Sequence, residues 1–328
     1  MTGPALRLLR PGLLVLGLVL LPLLLRPIVA AEVLIFAVAA MALNLLLGYT
    51  GMLSFGQATF FGMGAYAGGL VIRHWEASLW VSLLAGVVVG VGTAAVIGYL
   101  CIQRLGIYFI MLTFGFNQMF YFIAYKWTDV TGGEDGLPGI PRPPVTLGPL
   151  HLRLDSSEEY YVFVAVAFVL LFYAMKWIVE SPLGLVCQSI RENPNRAAAV
   201  GYNVTLYKWI AFTVAGAFTG LAGVLYAMLF GIVPLDAISF ITSGNIVFMA
   251  LIGGIGNVYG PLLGAVALIW LSETVSVFWH RWPLILGLAL IAVVLFLRGG
   301  LAEAFERVRT AVAAARLGRQ AGAGKEAA

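Results

Sequence analysis

Charge is what this sequence has least of. Only 10% of its 328 residues are Asp, Glu, Lys or Arg, 61% are hydrophobic, and the mean hydropathy is +0.98. Soluble domains carry about 25% charged residues, so the deficit excludes a soluble globular chain and places most residues where ions are expensive. The 19 Lys and Arg against 15 Asp and Glu leave a net charge of +4, which reads as membrane topology and gives no reason to expect a nucleic acid as partner. Cysteine is nearly missing too. Cys101 and Cys187 are the only two, both in segments read as cytoplasmic, so no structural disulfide is expected. His74, His151 and His280 are scattered through loops, and HExxH, CxxC and GxSxG are all absent. The tail stretch GAGKEA around Lys325 lacks the first glycine and the Ser/Thr of a phosphate-cradling loop. The chain is therefore expected to be no enzyme and to hold no metal or cofactor. If ATP drives it, ATP and Mg are bound by other chains.

What is present is a series of apolar runs near the roughly 20 residues a bilayer requires. The first, Leu13–Leu25, follows Arg7 and Arg10 like a signal peptide with a small-residue end at Ala30-Ala31. Arg26-Pro27 is poor for cleavage, and a retained span is the favoured reading. Further spans read as Val33–Leu47, Phe55–Ile72, Trp80–Ile102, Ile107–Tyr125, Tyr161–Val179, Trp209–Phe230, Ile241–Gly254, Pro261–Phe278 and Pro283–Leu297. The expectation is an all-α polytopic membrane protein of about ten transmembrane helices. One membrane domain covers 1–300, with an external loop at 126–160 and a cytoplasmic loop at 180–208, and 301–328 form a basic cytoplasmic tail. With both termini inside, Arg26, Arg73, Lys126, Arg142, Arg153 and Arg281 lie outside, six of the 19 cations, and the other thirteen lie inside. That excess is the one short cytoplasmic loops should carry.

The polar stretch Glu180–Lys208 carries helix signals between two apolar spans. Ser181-Pro182 reads as an N-cap followed by Pro at the first helical position, and Leu183, Val186 and Ile190 repeat at helical spacing. Asn193-Pro194 ends that helix, Asn195 is placed to cap a second, and Gly201 fits a left-handed end. Shape alone divides evenly between a docking surface for a soluble partner and an ordinary interfacial helix pair.

Within the spans, Gly64/Gly68, Gly86/Gly90, Gly216/Gly220 and Gly256/Gly260/Gly264 are small-xxx-small pairs suited to close helix packing. Two clusters, Asn44–Phe61 and Phe248–Pro261, set Asn44, Ser54, Gln57 and Asn257 beside glycine-broken backbone that includes Gly253 and Gly254. Irregular backbone at membrane depth is tolerated only when buried in protein or facing a watery cavity. Discontinuous helices of this kind build solute sites in transporters, and a cytoplasmic turn is the equal alternative. Thr113 and Asn117 share one face of the fifth span among phenylalanines; a solute contact and Thr bonding to its own helix both explain them. Glu273 is the one acidic residue well inside a predicted span, a functional candidate by default unless it sits at a helix end.

The blocks Asn44–Tyr66, Gly106–Gln118, Thr131–Ile140, Ser181–Lys208 and Leu251–Ala265 resemble the signature blocks of the branched-chain amino acid ABC importer permeases, in the expected order between about residues 33 and 298. The TGG-x-x-G loop is similar to that of the M-type (LivM-like) member of the LivH/LivM pair. The resemblance implies a bacterial inner-membrane permease paired with a second, H-type permease. It also implies two ATPase subunits on the cytoplasmic face, a periplasmic substrate-binding protein, and an amino acid or similar small solute as cargo. It further implies that Ser181–Gly201 contacts the ATPase, with Leu183, Val186, Ile190, Arg191, Glu192 and Gly201 as coupling residues. Asn44, Ser54, Gln57, Thr113, Asn117, Glu273, Gly253, Gly254 and Asn257 are the candidates for the translocation pathway. Urea, short amides and aromatic acids are alternative cargoes within the family. A stand-alone secondary carrier in the lipid is the alternative of a different class. Departures from the family pattern at Cys187-Gln188 and in the aromatic fifth span bear on the cargo.

Overall fold

The computed structural model describes residues 16–75, 78–104, 106–147, 150–152 and 154–278, with scattered positions between 284 and 303. The tenth span at Pro283–Leu297 and the basic tail fall almost wholly outside these. Helix α1 (16–24) is followed by α2 (Pro27–Asn44), whose last turns widen into a π-helix at Leu45–Thr50. Then come α3 (Gln57–Trp75), α4 (Leu79–Cys101), α5 (Ile107–Lys126), α6 (Thr128–Thr131) and the short strands β1 (Leu137–Pro138), β2 (Val145–Leu147) and β3 (Leu150–Leu152). The chain continues through α7 (Ser157–Glu180), α8 (Pro182–Glu192), α9 (Pro194–Ala199), α10 (Val204–Phe230), β4 (Ile232–Val233), α11 (Phe240–Gly253) and α12 (Gly260–Phe278). This is an all-α membrane protein with two small two-stranded sheets in its loops. Among the described residues five helices are long and apolar enough to cross a bilayer, with Phe240–Gly253 and Gly260–Ser276 as shorter apolar helices.

The core is built on α2, α3, α4 and α10. α2 is enclosed on nearly every side, with buried residues from Ala30 to Asn44, because Ala and Val along its length present no bulk to the helices around it. The α3–α4–α10 junction rests on missing side chains. A Cβ on Gly220 would stand 2.5 Å from Gly86 O and 3.0 Å from Gly90 Cα, and one on Gly90 would also strike Gly216 O at 2.5 Å. The packing role read for the small-xxx-small pairs therefore holds here. In lipid, where apolar burial gives no drive between helices, such backbone proximity is the main source of attraction.

The two ends of the bundle are tied separately. At one end, β1 pairs antiparallel with β4, Ile140 N donates to Gly231 O at 3.0 Å, and Arg142 donates to Met228 O and Leu229 O at 3.1 and 2.8 Å. At the other end, α8 lies against the π-helix, and α8 and α9 lie against α10. Two helices, α3 and α11, do not run from one end to the other. After Gly51 (φ 74) the chain is extended through Gly56 and climbs back into the bundle before α3 begins. After Gly231 (φ 69) it likewise descends through Leu235–Ile238 before α11 begins. α11 has only 14 residues, about 21 Å at 1.5 Å per residue, which falls short of a bilayer core of about 30 Å.

Candidate translocation and coupling site

The starts of α3 and α11 meet deep in the bundle around a buried polar cluster. Phe55 N donates to Thr113 Oγ1 at 3.2 Å, and Ser243 Oγ donates to Phe55 O at 2.6 Å. Ser54 Oγ accepts from Gly56 N at 3.1 Å, so the extended segment has its backbone satisfied by side chains. Asn117 Nδ2 donates to Thr59 Oγ1 at 3.1 Å and to Ile238 O at 2.8 Å, tying both re-entrant segments to α5. Asn117 stands ten residues into α5, about 15 Å from its first turn, so the meeting point is near mid-depth. Gln57 Oε1 accepts from Thr219 on α10 at 2.9 Å. Of the three buried side-chain atoms without a partner among the described residues, two belong to this cluster, Gln57 Nε2 and Asn117 Oδ1, and the third is Tyr66 OH. An unpaired buried donor or acceptor costs about 1–3 kcal/mol. A cover of rings lies over the cluster, Phe55 and Phe114 packing on Phe240 at 5.4 and 4.9 Å.

Ser54, Gln57, Thr113 and Asn117 are thus brought together. Asn44 and Asn257 belong to a second, separate arrangement. There the two glycine clusters meet each other: Asn44 Nδ2 donates to Asn257 O and Asn44 Oδ1 accepts from Gly256 N, both at 2.9 Å, and Tyr49 OH donates to Gly256 O at 2.9 Å. Gly48 has to be glycine because a Cβ would sit 2.6 Å from Gly256 N. Gly253 and Gly254 close the α11–α12 hairpin, Gly254 at φ 115. Glu273 is exposed on α12 and apart from both clusters. Sequence reasoning missed Glu32, a half-buried carboxylate inside α2. It stands one residue before the expected start of the second span, and the apolar run Ala30–Leu34 around it was the available signal.

The 180–208 stretch folds as a helix–break–helix, with corrections. Pro182 opens α8 as expected, but the Ser181 side chain makes no cap bond and donates instead to Ile178 O at 2.6 Å. Asn193, not Asn195, caps α9 by accepting from Arg196 N at 3.0 Å, with Pro194 at the first helical position. Gly201 takes φ 104 as expected. The larger correction concerns the apolar face. Val186 and Ile190, expected as coupling residues against a partner, turn inward onto Ala197, Val204 and Tyr207, leaving Ile190 only 2% exposed. Leu183 packs against the main core. The amphipathic stripe serves the chain itself because α9 and the start of α10 fold back over it. Arg191, also expected as a coupling residue, donates to Gly48 O and lies against Gly51 and Gly256. It clips α8 to the point where the glycine clusters meet. Glu192 remains exposed, and Leu185, at 61% exposed, is the apolar residue on the outer face of α8. Burial pushes the Cys187 thiol up to about 11, so it is no nucleophile at neutral pH.

Helices broken at mid-depth around a polar cluster, with a capped helix pair clipped to one end, form a transporter's arrangement, and the family comparison decides which. A family described as the branched-chain amino acid transport system permease component matches residues 28–298. The chain belongs to this family. The LivM permeases of the high-affinity branched-chain amino acid transport systems of Salmonella typhimurium and Escherichia coli are each 25% identical over 294 residues, covering 83% of this chain and 69% of theirs. The LivH permease of Salmonella typhimurium is 22% identical over 252 residues, covering 71% of this chain and 79% of its own. The galactose/methyl galactoside import permease MglC of the same organism is 28% identical over 196 residues, 55% of this chain and 53% of its own. No solved structure matches.

Proposed function

We propose that this permease forms, together with a second permease, the path of an ATP-driven importer for branched-chain or related amino acids. Two ATPase subunits work at the 180–208 end, and a substrate-binding protein delivers cargo at the 126–160 end. The observation that carries the reading is the pair of unpartnered atoms at the α3–α11 meeting point. Gln57 Nε2 is a donor suited to a carboxylate and Asn117 Oδ1 an acceptor suited to an ammonium, the two polar ends of an amino acid. Re-entrant helix starts place positive dipole ends at the same depth. Phe114 and Phe240 beside the cluster favour a second cargo, an aromatic acid.

The test is uptake by cells carrying the full importer. Gln57→Leu and Asn117→Leu should each lower leucine uptake more than tenfold while the complex still copurifies and hydrolyses ATP basally. Uptake at the unmutated level in both would remove the cluster from the path. Competition by phenylalanine but not leucine would assign the aromatic cargo.

A further inference from the structure

Where α4 ends and α5 and α10 begin, the structure encloses a cavity of about 110 Å³ between these helices and the first residues of the extended segment. About 10–15 Å³ suffices for one water, so the space takes a tetrahedral phosphate group. Its walls are mostly apolar, from Met52, Phe109 and Ile110 among others, yet Lys208 and Arg104 both reach it. Lys208 is only 7% exposed. Among the described residues neither cation makes an ion pair or a side-chain hydrogen bond. Keeping a buried ammonium without a counter-ion costs several kcal/mol, and this cost falls sharply when an anion fills the cavity. Arg104 is exposed at the mouth, where its guanidinium can grip a phosphate through two parallel hydrogen bonds.

We propose that this cavity binds a phosphate group, and that its source is the headgroup of an anionic lipid. The ligand's class follows from charge and position. Two unpaired cations flank an apolar slot at the ends of three bilayer-length helices, the level at which headgroups lie and where basic pockets between spans take them. The bound phosphate braces Gly51, Met52 and Leu53, the start of the re-entrant segment, against α5 and α10. This inference stands apart from the choice of cargo and from the identity of the partner chains.

The purified full chain, stripped of lipid in detergent, decides it by native mass spectrometry and thermal stability with three probes: phosphatidylglycerol, phosphatidylcholine and inorganic phosphate. Phosphatidylglycerol should bind at least tenfold tighter than phosphatidylcholine. Lys208→Met should erase that preference, Lys208→Arg should keep it, and Arg104→Ala should weaken it severalfold. Equal binding of the two lipids, or an unchanged preference in Lys208→Met, overturns the site. If Lys208→Met does not fold, an unchanged preference in Arg104→Ala, a change at an exposed turn, overturns it instead. Stabilisation by millimolar inorganic phosphate with none from phosphatidylglycerol overturns the lipid as source and leaves the phosphate site standing.

Discussion

Glycine decides more here than any charged side chain. Gly220 and Gly92 are both helical glycines in apolar surroundings, and sequence alone treats them alike. In the fold they have opposite roles: Gly220 lies against the backbones of α4 and α3, while a Cβ on Gly92 meets nothing within 4 Å. Gly220→Val must therefore push two helices apart, whereas Gly92→Val adds a side chain toward lipid and removes a weak helix former. Overpacking costs about 1–3 kcal/mol when side chains can yield, and here the obstacles are backbone atoms, so Gly220→Val should lie at or beyond the upper end. The thermal aggregation midpoint in detergent should fall by many degrees for Gly220→Val and stay level or rise for Gly92→Val. Equal midpoints would show that the α3–α4–α10 junction does not hold the core. The same logic separates Arg191 from the surface cations, since its partner is a carbonyl of this chain and its role is to fix α8.

At the scale of elements, the helix pair at 182–199 shows how far the sequence is legible. Pro182, the Asn193-Pro194 break and Gly201 are local signals, because backbone chemistry over three or four residues sets them, and they were readable. The partner of the Val186/Ile190 stripe was not readable, because periodicity reports that a face is buried without saying by what. The re-entrant segment before α11 was hidden for a related reason. Gly231–Ser239 looks like a surface loop, and only the long-range bond from Asn117 to Ile238 O reveals its depth. At the cluster, Ser54, Gln57, Thr113 and Asn117 were found because polar residues in apolar runs stand out, whereas Thr219 and Ser243 were lost among small residues. Under the proposed function, the inward stripe leaves Leu185 and Glu192 as the exposed residues of α8 available to the ATPase. Leu185→Asp should leave the permease folded yet reduce ATPase copurification and substrate-stimulated hydrolysis at least tenfold, since a buried apolar anchor outweighs rim charges. Ile190→Asp should instead destabilise the permease itself, lowering its yield and melting midpoint. Normal coupling in Leu185→Asp would place the contact elsewhere.

For the whole molecule, the polarity of the bundle joins its parts into one directional machine. Arg104 and Lys208 line a single cavity with Gly51–Leu53, and Arg191 touches Gly48 and Gly51, so the 104, 180–208 and 48–53 segments share one end. The 132–142 loop is bonded to 228–233, so these share the opposite end. α5 and α7, of 20 and 24 residues, link the two ends and leave much of their surfaces free for lipid or a second permease. Under the ten-span reading thirteen of the 19 cations fall on the 180–208 side, the excess expected of a cytoplasmic face. Under the proposed function, ATP-driven motion enters at this end and cargo at the other, with the mid-depth cluster between them. Reporter fusions after Asp155 and after Asn195 should therefore report opposite compartments, the Asn195 fusion active only as a cytoplasmic reporter. Inserting an extra 20-residue apolar span at 143–144 should reverse the Asn195 report and leave fusions before Arg104 unchanged. Both fusions on one side in the unmodified chain would break the link between the two bonded ends and the two membrane faces, and with it the direction of transport.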